Sequence, residues 1–329
     1  MKKFISLLLV LTLAAGCARP SDVVGIPVFK IATIRGPSGV SMLKLMADSD
    51  ADVTQNKYEF TLFSDPTDIT AKILNGEFSA AALPSNLAAV LYQKTDKKIK
   101  VVALETLGVL YLLENGNTVK SAADLKGKTV TMSTAGQGAT PEFALRYILM
   151  QNGLDPDKDV TIEFRGGHSD VAMLMTSGEI GLCLLPEPNV TAVLSANQEV
   201  QIALDITREW NGAAQAAGNG DGELAMSCIV ASTNFIQSHK EAFEVFLNEY
   251  KKSCEYVDAN LEETANLAQQ YGVIPKAAVA KAAIPRCNIV YIDGSDMKNK
   301  LDGYFKVLHG FAPTSVGGEL PDENFYYKK

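Results

Sequence analysis

Apolar residues along the chain fall into short runs, punctuated by Gly, Pro and Asn. Phe29 to Ile34 (FKIATI) reads as a strand, broken by Gly36-Pro37-Ser38-Gly39. Val40 to Asp48 then carries Val40, Leu43 and Met46 at helical spacing. Tyr58 to Phe63 predicts a second strand. Asp65-Pro66 supplies an N-cap followed by Pro at the first helical position. That helix runs to Leu74 and stops at Asn75-Gly76. Phe78 to Leu83 is a third strand, ending at Pro84-Ser85-Asn86, with a helix continuing from Leu87 to Tyr92. Strands alternating with helices predict a mainly parallel α/β sheet.

The pattern then recurs. Thr129 to Ser133 is a strand broken by Gly136-Gln137-Gly138, and Thr140-Pro141 leads into a helix from Glu142 to Met150. Val160 to Phe164 is the next strand. Residues 169–188 can be laid on residues 67–86 without a gap, 102 positions apart, with five identities in twenty: Asp68 on Asp170, Gly76 on Gly178, Glu77 on Glu179, Leu83 on Leu185 and Pro84 on Pro186. The shared order of cap, helix, glycine stop, apolar strand and proline carries more weight than the identities. Two similar α/β lobes follow. In open α/β sheets ligands bind beyond the carboxyl ends of the strands. If the lobes face each other, the loops Gly36–Val40, Pro84–Asn86, Gly136–Thr140 and Pro186–Pro188 converge on one cleft.

Two segments join the halves. Val101 to Leu113 is a long apolar run broken at Glu105-Thr106 and Gly108, a candidate first crossover. Leu224 to Ala231 is the candidate second. Asn211 to Gly222, rich in Gly, Ala and Asn, predicts a mobile loop. Ser238 to Asp258 and Leu261 to Tyr271 read as helices returning to the first lobe. Two crossovers make a hinge, which suits closure around a ligand. The expected division is 28–107 plus 228–329 for lobe one and 108–227 for lobe two.

The first residues change the reading of the length. Lys2 and Lys3 precede an apolar stretch from Phe4 to Ala15, too short to span a bilayer and suited to the core of a signal peptide. It ends in Leu13-Ala14-Ala15-Gly16-Cys17, which resembles the lipobox of bacterial lipoproteins. Residues 1–16 would be removed, leaving Cys17 as a lipid-bearing terminus on a tether through residue 27. Taking 16 from 329 residues leaves 313, and losing two lysines moves the formal charge from −8 to −10. With 47% hydrophobic and 21% charged residues the body is globular, and an acidic balance without a basic block excludes a nucleic-acid partner. The remaining cysteines, Cys183, Cys228, Cys254 and Cys287, lack zinc-type spacing. Cys254–Cys287 is the first pair to test for a disulfide; buried free thiols are the alternative. Neither a metal nor a cofactor is expected.

The lipobox, the two half-repeats, Asp124-Leu125-Lys126-Gly127-Lys128 and Leu74-Asn75-Gly76-Glu77 together resemble a substrate-binding protein of an ABC importer. The resembled group is the nitrate, sulfonate, taurine and thiamine-pyrimidine binding family. The resemblance implies a two-lobed periplasmic-binding-protein fold of type II, each lobe a mainly parallel sheet flanked by helices, with two hinge crossovers. It also implies a monomer lipid-anchored outside the cytoplasm, with a small-molecule ligand and an ABC permease and ATPase as partners. A heteroaromatic vitamin precursor or a sulfonate-like acid fits as cargo. The alternatives are an enzyme on the same fold, like chorismate dehydratase or the pyrimidine synthase of thiamine metabolism, and a ligand sensor. No Gly-x-Ser-x-Gly, P-loop or His-Glu-x-x-His motif occurs.

The candidate ligand contacts follow from the loops. Ser38, Gly39 and Val40 open a helix whose free N–H groups can receive an oxygen. Ser85 and Asn86 follow Pro84 and could contact ligand or cap a helix. Gln137, Gly138, Ala139 and Thr140 form the matching loop in lobe two, with Thr140 also a candidate cap. Glu187 and Pro188 occupy the lobe-two position equivalent to Ser85 and Asn86, and Glu187 could accept from a ligand N–H or ammonium, or stand as a solvated loop carboxylate. His168 lines the cleft or caps its helix. Trp210, the single tryptophan, stacks on a flat ligand or sits in a core. Arg35 is the cation nearest the first loop.

Overall fold

A computed structural model describes residues 27–218 and 222–328. The signal segment, Cys17 and most of the tether therefore lie outside the described residues. Lobe one begins with β1 (Val28–Ile34), α1 (Pro37–Ser41), α2 (Leu43–Asp50), β2 (Lys57–Phe63), α3 (Thr67–Leu74), β3 (Ala80–Pro84), α4 (Ser85–Lys94) and β4 (Ile99–Thr106). Residues 107–109 cross to lobe two. There follow β5 (Leu110–Asn115), β6 (Thr129–Met132), α5 (Thr140–Gln151), β7 (Thr161–Phe164), α6 (His168–Ser177), β8 (Leu182–Pro186), α7 (Asn189–Ala196), β9 (Val200–Asp205) and α8 (Ile206–Ala216). The chain returns through β10 (Ser227–Ser232), α9 (Thr233–Ser238), α10 (Lys240–Ala259), α11 (Leu261–Gln270), α12 (Ala277–Ala283), β11 (Ile289–Ile292) and α13 (Gly294–Phe311).

The two sheets share one plan. Lobe two is ordered β7-β6-β8-β5-β9; lobe one, read in the same sense, is β2-β1-β3-β10-β4, with β11 added at the edge. In each, three strands pair in parallel: β1 with β2 and β3, β6 with β7 and β8. The strand arriving from the other lobe, β10 or β5, then inserts antiparallel between the third and the last. Both sheets are thus mixed, because a strand that enters from across the hinge runs against those started at home. The half-repeat reappears in the fold: β3 and β8 occupy residues 80–84 and 182–186, again 102 apart. Gly76 and Gly178, which end the preceding helices, both have left-handed φ, 74° and 78°.

Packing explains the helices. The inner face of α10 carries Phe243, Phe246, Leu247, Tyr250, Cys254 and Val257 at spacings of three and four, all buried. Phe246 stacks on Phe29 of β1, ring centres 5.6 Å apart. A second core joins the lobes through α13: Tyr304 lies against Trp210, and Phe311 against Tyr147, all within one apolar cluster. Within the loop expected over 211–222, residues 211–216 are helix instead. Asp205 caps α8 by accepting from Thr207 N at 2.9 Å and Arg208 N at 3.2 Å, and Ile206, Trp210, Ala213 and Ala214 form a buried face. The apolar run 101–113 resolves into two strands in different sheets. All four cysteines described are free and buried, so no Cys254–Cys287 disulfide is present. Among the described residues no helix is long and apolar enough to cross a membrane.

Candidate functional site

The parallel strands β1, β3, β6 and β8 end at Ile34, Pro84, Met132 and Pro186. The loops beyond these ends are in contact across the lobes. A Cβ on Gly36 would lie 3.7 Å from Pro188 Cδ, so the first glycine loop abuts the lobe-two proline loop. Thr140 of lobe two donates from Oγ1 to Asn86 Oδ1 at 3.1 Å. The amide orientation is fixed by its other end, because Asn86 Nδ2 faces the carbonyl of Ser315, which can only accept. Thr140 has spent its single proton on Asn86, so the 2.7 Å contact with Tyr304 is a donation from the tyrosine. The hydroxyl of Thr140 is thus an interlobe bridge; helix α5 has no side-chain cap.

The remaining candidates divide by position. Ser38 is 7% exposed and hydrogen-bonds Ser227 at 3.1 Å, while Ser85 is fully buried beside the Cys228 thiol. Gly39 serves close packing: a Cβ there would meet Val273 Cγ1 at 2.8 Å and the Ile34 carbonyl at 2.9 Å. Val40 points into the lobe-one core. Gln137 and Gly138 are exposed, Ala139 is half-buried, and Gly138 N donates to Glu142 at 2.7 Å. Trp210 is fully buried, its indole N–H donating to Gly222 O at 2.6 Å, with Tyr147 and Tyr304 against its ring. It lies one layer behind Thr140, in the core. Arg35 turns to the Gly272 carbonyl.

Two titratable groups have defined partners. Glu187, 1% exposed, takes Arg286 Nε at 2.5 Å and Thr191 N at 3.1 Å. One carboxylate oxygen is therefore occupied by lobe one and the other by the start of α7 in its own lobe. His168 Nδ1 lies 2.7 Å from Ser133 Oγ, and burial pushes the imidazole pKa down to about 4. Ser133 is buried and its hydroxyl has one proton to place, so it donates to Nδ1 and leaves the imidazole proton on Nε2.

Sequence reasoning missed Glu105. This residue is the last but one of the buried strand β4 and is 0% exposed. Its carboxyl receives Ser227 Oγ at 2.6 Å on one oxygen, and Ser41 Oγ and Tyr250 OH, each at 2.9 Å, on the other. Burial raises its pKa despite these hydroxyls. A carboxylate interrupting a long apolar run was the available signal. Arg286 and Tyr304 were also missed, since each acts on a partner far away in sequence.

The fold resembles solved solute receptors. A structure described as an ABC transporter from Parabacteroides distasonis matches with a TM-score of 0.75 at 24% identity, over 92% of this chain and 99% of that one. The periplasmic aliphatic sulphonate-binding protein SsuA of Escherichia coli matches at 0.70 and 14%, over 92% of each chain. The periplasmic nitrate-binding protein NrtA of Synechocystis PCC 6803 matches at 0.54 and 11%, over 91% of this chain and 92% of its own. No curated protein matches this chain by sequence. Residues 64–264, more than half of the chain, match the model of the NMT1/THI5-like family, and the chain belongs to that family.

Proposed function

We propose that this chain is the extracytoplasmic solute-binding component of an ABC importer. It captures a small organic molecule between lobe one (28–107 plus 228–329) and lobe two (108–227), and closes about the crossovers. One observation carries the reading: loops at the strand ends of both lobes meet at Asn86–Thr140 and Gly36–Pro188, where a hinged receptor must hold its cargo. Family membership and the likeness to receptors for sulfonates and nitrate support it. Cargo that prefers the closed arrangement shifts the population toward it, and an ABC permease and ATPase would take it onward.

Lipid attachment at Cys17 would hold the acidic body at the membrane surface. Palmitate labelling of wild type, lost in Cys17→Ala, supports the anchor; unlabelled protein confined to the cytoplasm overturns both anchor and import role. The binding role is tested by thermal shift of the purified protein against sulfonates, pyrimidines, flavins, amino acids and inorganic anions. A binder raises the melting temperature by mass action. Asn86→Ala and Thr140→Val should abolish that rise; a rise untouched by both changes removes the proposed cleft.

A further inference from the structure

Glu105 gathers three hydroxyls at the carboxyl edge of the lobe-one sheet, and Ser38 joins them through Ser227. Ser38 and Ser41 come from α1, Ser227 opens β10, and Tyr250 comes from α10. Each hydroxyl has one proton, and the contacts decide where each goes. Ser227 Oγ lies 3.0 Å from the Leu83 carbonyl and 2.6 Å from Glu105 Oε1. With Glu105 ionised, the Ser227 proton goes to the carboxylate. With Glu105 protonated, the acid donates to Ser227, which passes its own proton to Leu83. Ser41 faces the Ser38 carbonyl at 2.7 Å, and Tyr250 OH reaches both Ser41 and Glu105 Oε2 at 2.9 Å, so the other carboxyl oxygen is filled.

In either state Ser227 has no proton for Ser38. In the 3.1 Å Ser38···Ser227 contact Ser38 is therefore the donor. Its one alternative, the Glu105 carboxyl, also draws the proton inward. Two residues earlier, a Cβ on Gly36 would come within 3.7 Å of Pro188 in lobe two. We propose that Glu105 and Ser227 fix the Ser38 hydroxyl as an acceptor at the cleft edge, so that the cargo presents an N–H donor there: an amine, an ammonium, an amide or a protonated ring nitrogen. This deepens the solute-binding reading and rests on it. It also disfavours an oxyanion at that position. A sulfonate or nitrate oxygen would face lone pairs, with a buried carboxyl behind them.

Two experiments test it. Neutron diffraction from the deuterated protein locates the hydroxyl deuterons. A Ser38 deuteron aimed at Ser227 or Glu105 supports the assignment. A Ser227 deuteron aimed at Ser38, or a Ser38 deuteron turned outward, overturns it. Calorimetry compares 4-aminopyrimidine and benzylammonium with methanesulfonate and nitrate. The expected result is at least tenfold tighter binding of an N–H probe, weakened at least tenfold by Ser38→Ala. An oxyanion that binds tighter than both N–H probes, and loses affinity in Ser38→Ala, overturns the proposal while the solute-binding reading stands. Binding by none of the four counts against the solute-binding reading, and the deuteron positions still decide the polarity.

Discussion

Arg286, in the turn before β11 of lobe one, donates through Nε to the carboxylate of Glu187 at the end of β8 in lobe two, at 2.5 Å. Its Nη2 reaches Thr191 Oγ1 at the same distance. The pair is asymmetric: the Glu187 side chain is fully buried, while a third of Arg286 meets solvent. Removing the arginine strands a buried carboxylate, which typically costs about 3–5 kcal/mol. The hinge offers an escape, because separating the lobes rehydrates Glu187. Arg286→Met should therefore enlarge the radius of gyration in small-angle scattering and leave circular dichroism unchanged. Adding Glu187→Leu removes the stranded charge and should restore the compact form. An unchanged radius in Arg286→Met would show that the ion pair does not hold the lobes together.

The first crossover packs closely on helix α8 at a glycine. A Cβ on Gly108 would lie 1.9 Å from Thr207 Oγ1 and 2.7 Å from Thr207 Cβ. Gly108 belongs to the first crossover, and Thr207 to the first turn of the helix that leads to the second. Gly108→Ala must push them apart, at a cost of about 1–3 kcal/mol by urea denaturation. Thr207 Oγ1 is buried without a hydrogen-bond partner among the described residues, so Thr207→Ala alone should cost little. Combined with Gly108→Ala it should recover part of the loss. Full additivity of the two losses would mean that they do not meet.

Such contacts mark the limit of what the sequence discloses. The overlay of 67–86 on 169–188 places β3 on β8, because a glycine stop and a strand-ending proline are local signals. The run Val101–Leu113 carries no period to say where it breaks, and it supplies strands to two sheets. Glu105 is visible as a carboxylate in an apolar run, but Ser41, Ser227 and Tyr250 stand 64, 122 and 145 residues from it. Trp210 looked equally suited to a ligand or a core, and what decides is Tyr147 and Tyr304 packed on its ring. Glu187 looked like a free acceptor until Arg286, 99 residues on, was placed beside it.

His168 makes stability depend on mild acid. Its folded pKa, about 4, lies below the ordinary value of 6.5, because burial disfavours the imidazolium. Above pH 6.5 both folded and unfolded chains hold a neutral ring, and the group is silent. Between 6.5 and 4 the unfolded chain takes up a proton that the folded one refuses, so stability falls as pH falls. The loss approaches 3 kcal/mol as an order of magnitude (~1.4 kcal/mol per pKa unit) and levels off below pH 4. His168→Gln can still accept from Ser133 but does not titrate. Its stability should be flatter than wild type between pH 6.5 and 4 in chemical denaturation; an equal slope would place the titrating group elsewhere.

The C-terminal segment separates burial from charge within four residues. Phe325 is fully buried, its ring 4.9 Å from Tyr92 and 6.0 Å from Phe305. Beside it, Tyr327 N donates to the Val101 carbonyl at 2.8 Å and ties the segment to β4. Asp322 accepts from Tyr92 OH at 2.7 Å, from Asn324 N at 2.9 Å and from Lys97, which together hold its pKa down to about 2. That depressed value makes its contribution present above pH 3.8 and lost as pH falls through 2, below the His168 window. The Lys97–Asp322 pair is about half exposed, so its share at neutral pH is small. Phe325→Ala leaves a cavity among aromatic rings and should cost about 3–5 kcal/mol. Asp322→Asn keeps the shape and should cost clearly less at pH 7. Denaturation midpoints of the two variants decide the matter. A larger loss in Asp322→Asn would mean that charge, rather than the buried ring, fastens this segment to lobe one.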